Sequence, residues 1–99
     1  MNYAVTNDII RELIREMPDS IFDSHALIFR IMQRYPREYT RDANAVLENT
    51  APGTDPITQH HATLGTRFSG IETIAATPRK VSSMNVRGQN TDNQEWRRL

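Results

Sequence analysis

The chain has 99 residues, 37% of them hydrophobic and 24% charged, with no cysteine and a formal net charge of zero. That length fits one domain with one core, and the composition lies well clear of the low-hydrophobicity, high-charge signature of disorder. Without cysteine there is no disulfide framework, thiolate catalysis or cysteine-ligated zinc, and no apolar run has the length of a signal peptide or membrane span, so the expectation is a cytoplasmic protein that does not enter a membrane.

The first periodic segment is "TNDIIRELIREMP", in which Thr6 or Asn7 can cap a helix and Ile9, Ile10, Leu13, Ile14 and Met17 form one apolar stripe before Pro18 stops it. The stripe is wide for a terminal helix, so part of it is available for a homodimer through helix 8–17. In "PDSIFDSHALIFRIMQRYP", Asp23 or Ser24 can cap a second helix reaching about Tyr35, and with Asp23 as the cap, Phe22 is placed to staple against Leu27. Ile28, Ile31, Met32 and Tyr35 line one face, and Leu27 and Phe29 widen it, which makes this the expected centre of the core. A third helix, in "PREYTRDANAVLEN", puts Tyr39, Ala43, Val46 and Leu47 on one side. The acidic residues Asp8, Glu12, Glu16 and Asp42 alternate with Arg at helical spacing, the pattern of solvated faces with local ion pairs.

"NTAPGTDP" is the clearest loop, and it leads into "DPITQHHATLGTRFSG". Asp55 suits an N-cap, Pro56 the first helical position, and Gly70 the left-handed residue that often ends a helix. Ile57, His61, Leu64 and Phe68 are expected inward on this helix, 56–69. Beyond it "IETIAATP" is ambiguous between helix and strand. "RKVSSMNVRGQNTDNQEWRRL" reads as a β-hairpin, roughly Lys80 to Arg87 and Gln94 to Arg98, with its turn in "GQNTDN" and a bulge or shifted boundary where the alternation slips.

Three helices, a loop, a fourth helix and a terminal hairpin containing Trp form the element order of a winged helix domain with an extra helix. On that order, and on "DPITQHHATLGTRFSG", "VSSMNVRG" and "EWRRL", the chain resembles the winged helix-turn-helix family. The resemblance implies a mainly α fold with a small C-terminal β-hairpin, three to four helices plus a wing, in a single domain over 1–99. It also implies that the last helix enters a DNA major groove while the hairpin touches backbone or minor groove. The loop from about Asn49 to Thr54 is longer than the short turn of a compact helix-turn-helix, a departure that bears on the docking angle.

If the last helix buries the residues named, then Thr58, Gln59, Ala62, Thr63, Thr66 and Arg67 face outward with one full charge among them. Gln can pair with adenine, Arg with guanine, and Thr or Ala methyl groups with the thymine methyl. The same face equally suits a solvated structural helix. Residues 56–99 hold six basic and three acidic side chains, whereas residues 1–55 hold six and nine. Arg79, Lys80 and Arg87 flank the hairpin and are candidates for phosphate contact, with plain solubility as the competing reading. His60 and His61 diverge by about 100° on a helix, which is poor for one metal ion, and four glycines leave little room for a phosphate loop. The expectation is a non-enzyme without metal or cofactor. The leading partner is double-stranded DNA, as for a transcriptional regulator or accessory factor; the alternative is a protein-interaction adaptor or inhibitor that does not bind DNA.

Overall fold

The computed structural model describes residues 2–99. Helix α1 runs Asn7–Glu16, strand β1 Ile21–Asp23, helix α2 Ser24–Arg34, α3 Pro36–Glu48, α4 Pro56–Phe68, and strands β2 and β3 run Ile74–Met84 and Asn90–Arg98. The result is a mixed α/β architecture of four helices and a three-stranded antiparallel sheet, in the order β1-β3-β2.

Local chemistry sets most of the helix starts. The Thr6 hydroxyl accepts from the Ile9 N–H at 3.2 Å to open α1, and Asp23 accepts from the Ala26 N–H at 2.9 Å to open α2. Asp23 has two tasks, because it is also the last residue of β1. That strand is too short to show alternation in sequence and exists by pairing with β3: Ile21 opposite Arg97, Phe22 opposite Trp96, Asp23 opposite Glu95. At its far end α4 differs from expectation. Gly70 does not take a left-handed backbone; the helix closes through the Gly70 N–H to the Arg67 carbonyl and the Ser69 hydroxyl to the Thr66 carbonyl.

The C-terminal strands are also displaced from their expected limits. β2 begins at Ile74, inside the segment whose type was ambiguous, and the chain reverses over Asn85–Gln89, earlier than expected and sharing only Gly88 and Gln89 with "GQNTDN". The Asn85 side chain accepts from the Arg87 and Gln89 N–H groups, and Gly88 supplies the positive φ of 74° that the reversal requires. The ladder slips between Ala76 and Lys80, where Pro78 could not donate a ladder bond, so the irregularity sits on an outer strand.

The core joins all four helices to the sheet through Ile10, Leu13, Ile14, Leu27, Ile31, Tyr39, Leu64, Phe68 and Trp96. Ile28 and Ile31 are buried as expected, whereas Met32 is only partly so. Ile10, Leu13, Ile14 and Met17 of the α1 stripe are taken up by the chain's own core. Two inward faces are rotated relative to the sequence reading. On α3, Asp42 is buried and Leu47 is exposed, because the Asp42 carboxylate accepts from the Ala4 and Val5 N–H groups at 2.7 and 2.9 Å and so ties down the N-terminal segment. On α4, His60 is the buried histidine, in line with Leu64 and Phe68, while His61 and Ile57 are half-buried.

Truncation of Ile31 tests the centre of this core. Ile31→Ala is expected to destabilise the fold by about 2–5 kcal/mol, read as a lower denaturant midpoint at unchanged slope, because a fully enclosed branched side chain leaves a cavity that only partly collapses.

Candidate functional site

A groove of about 740 Å³ runs between α4 and the β2–β3 pair, with the start of α2 at its base. From α4 it takes Thr58, His61, Ala62, Gly65, Thr66 and Ser69, one face of the helix with mostly small side chains. The opposite wall is Lys80, Arg87 and the residues Thr91 to Gln94, with Trp96 beneath. A second, more open depression of about 700 Å³ follows the outer face of α3 past Arg37, Thr40 and Arg41, but a single helix lines it.

Hydrogen bonds fix the groove's base. The Trp96 indole donates to the Ser24 hydroxyl at 2.8 Å, and Asn93 Oδ1 accepts from the His25 N–H at 3.0 Å. His25 Nδ1 lies 2.8 Å from the Ser83 hydroxyl, to which Asn93 also donates. These bonds lock α2 to the strands and leave the groove walls to hydroxyls, amides and imidazoles. Such a surface is suited to holding a ligand by hydrogen bonds, with Lys80 and Arg87 as the cations on its rim.

The expected site residues divide into three sets. Thr58, Ala62, Thr66, Lys80 and Arg87 come together in the groove. Gln59 is exposed and Thr63 half-buried on the α4 flank beside it, and Arg79 is exposed on the irregular stretch of β2. Arg67 is placed differently from expectation: its guanidinium donates to the Val5 carbonyl at 2.6 Å and to Asn7 Oδ1 at 3.0 Å, and stacks 4.0 Å from the Tyr3 ring. The turn of α4 that buries His60 and Phe68 swings Arg67 toward the N-terminal segment, where it is consumed. Arg98 is likewise engaged, donating to the Ile14 and Met17 carbonyls that end α1.

Sequence reasoning missed His25, Asn93 and Gln94. His25 and Asn93 meet only through the pairing of β3 with β1, which no local pattern foretells. Residues of both parities of β3, Thr91 to Gln94, border the groove, so simple alternation about Trp96 does not select Gln94.

Arg87 also forms an ion pair with Asp55, the N-cap of α4. Burial pushes the Asp55 carboxyl upward, but the Thr58 N–H and the Arg87 guanidinium outweigh it and hold the group below its ordinary value. His61 is pushed down to about 4, by burial first and then by His60, His25 and Arg87, against the opposing pull of Asp55. Its Nε2 lies 2.6 Å from the Tyr39 hydroxyl. His60 is lowered as well, by burial, with Asp42 opposing. Among the described residues no group of three or more carboxylates and imidazoles is arranged for a metal ion, and no helix is long and apolar enough to cross a membrane.

No family model matches this chain, and neither a curated protein sequence nor a solved structure matches it.

The histidines predict an acid-sensitive fold. Because the folded state prefers them neutral, stability is complete above about pH 6.5 and is expected to fall as the unfolded chain takes up protons, from that pH down toward the folded value of about 4 for His61. Denaturant titrations across this window check it, and His61→Gln is expected to flatten the decline.

Proposed function

We propose that this chain is a small DNA-binding protein of winged helix type, a transcriptional regulator or accessory factor. It lays the exposed band of α4 in a major groove and sets the β2–β3 hairpin, as the wing, against the phosphate backbone. The observation that carries the reading is that α4's uncharged polar band and the cations Lys80 and Arg87 line a single groove. A helix face of Thr58, Ala62 and Thr66 brings hydroxyls and methyl groups to base edges without a carboxylate to repel DNA, and Gln59 extends that band with a bidentate amide. Arg67 has no part in base contact, since its donors serve the N-terminal segment.

One observation favours the second reading, an adaptor that binds another protein. Of the basic residues in the C-terminal half, Arg67, Arg87 and Arg98 already have partners within the chain, which leaves a modest cationic surface for a polyanion. Titration of mixed-sequence duplex DNA at low salt separates the two. The DNA reading expects binding at micromolar protein or below that weakens steeply with salt, and failure to bind under those conditions leaves the adaptor.

Single substitutions divide the roles further. Gln59→Ala is expected to weaken a preferred duplex by about 1–3 kcal/mol while sparing non-specific binding, whereas Lys80→Ala is expected to weaken all sequences alike and to reduce the salt slope by about one phosphate contact. Competition between a selected and a scrambled duplex for each variant distinguishes these patterns.

A further inference from the structure

We propose that the Asp55–Arg87 ion pair is the latch of the groove: Asp55 occupies Arg87 in place of a ligand phosphate, and Arg87 exchanges the carboxylate for a phosphate when a nucleic acid enters. The inference rests on the nucleic-acid reading above and assigns the step by which that site opens.

The two carboxylate oxygens of Asp55 have separate work. Oδ1 accepts from the Ile57 and Thr58 N–H groups at 3.0 and 3.3 Å and caps α4, while Oδ2 faces the Arg87 guanidinium. The ion pair therefore joins the N-cap of α4, three residues before the groove-lining Thr58, to the β2–β3 turn, whose Arg87 lines the opposite wall. The backbone that carries Arg87 is fixed, because its N–H donates to Asn85 Oδ1 and Gly88 completes the reversal. Its side chain is 49% exposed, so it can swing without disturbing the turn.

The exchange is inexpensive. A solvent-screened pair of this kind is worth little, and a phosphate presents the guanidinium with a forked acceptor of the same charge and better geometry. Once Arg87 leaves, Asp55 keeps both helix-capping bonds through Oδ1 and retains Oδ2 for water. The closed state shields Arg87 from adventitious anions, and a polyanion that also engages Lys80 supplies the second contact needed to displace the carboxylate.

The test uses the intact chain and a mixed-sequence DNA duplex, with affinity measured across a salt series. Asp55→Asn keeps the capping acceptor but removes the charge; Asp55→Ser serves if the Asn variant folds poorly. Asp92, which lines the same groove and forms no ion pair among the described residues, provides the control for simple loss of negative charge. Asp55→Asn is expected to bind about two- to fivefold tighter than the parent, the range that releasing one exposed pair allows, with a salt slope larger by about one contact. Asp92→Asn is expected to gain less than about half of that factor. In an Arg87→Ala background the Asp55→Asn gain is expected to shrink to the Asp92→Asn level. The latch is overturned if Asp55→Asn gains no more than Asp92→Asn, or if its full gain persists without Arg87. Absence of duplex binding by the parent and every variant overturns the nucleic-acid reading itself, and the latch with it.

Discussion

The fold depends on the placement of Trp96. Its strand is the middle of three, so the residue is opposite Phe22 of β1 on one side and Ala76 of β2 on the other. The ring is 4% exposed and its N–H is satisfied by Ser24, the first residue of α2. A buried indole needs both an apolar surround and one acceptor, and here the acceptor comes from the helix that the core is built around. That single contact sets the distance between α2 and the sheet. It thereby fixes the base of the groove, where His25 and Asn93 meet beside it.

A second constraint acts from the opposite end of the chain. Val5 is fully enclosed, and the backbone around it is held by the Asp42 carboxylate on α3 and the Arg67 guanidinium on α4. The Asp42 carboxylate accepts two backbone N–H groups, and the Arg67 guanidinium donates through Nη2 to the Val5 carbonyl and Asn7 Oδ1 while its Nη1 is buried without a partner, so the N-terminal segment joins α3 to α4 at a desolvation cost that falls on Arg67. The rotational setting of α4 follows. With Arg67 drawn to this segment and His60 against the Tyr39 ring at 4.9 Å, the face left over is Thr58, Ala62 and Thr66. The uncharged character of the groove wall is thus a consequence of where the charges on α3 and α4 are used.

The helices were legible because their signals are local: caps at Thr6, Asp23 and Asp55, prolines at positions 18, 36 and 56, and apolar spacing between them. Apart from the local turn at Asn85–Gln89 and the close of α4 at Gly70, what was not legible depends on partners distant in sequence. β1 exists only through β3, Asp42 looks like any surface carboxylate until Val5 arrives, and His60 rather than His61 is buried because of the rotational setting of α4, which puts His60 in line with Leu64 and Phe68. For the site, Thr58, Ala62, Thr66, Lys80 and Arg87 could be named from helix angle and charge. Arg67 could not be excluded, since its angle alone puts it at the margin of the exposed face and only the N-terminal segment removes it.

The base and the rim of the groove differ in the kind of bond that holds them. At the base, bonds from Trp96, His25 and Asn93 are partly or wholly shielded from water and involve no carboxylate or guanidinium, so a charged ligand does not compete for them as it does for an ion pair. At the rim, the Asp55–Arg87 pair is solvent-accessible and ionic, and both salt and competing anions weaken it. His61 lies between these zones, lining the groove while its Nε2 meets the Tyr39 hydroxyl. Burial keeps it neutral near pH 7, so it offers a hydrogen-bonding edge with no positive charge of its own. Lys80 and Arg87, the lysine and arginine of the groove, are both on the strand side, while the α4 side provides hydroxyls, methyl groups and an imidazole. A ligand that places anionic groups along one edge and hydrogen-bonding groups along the other matches this division, and a nucleic acid strand has that chemistry in its phosphates and bases.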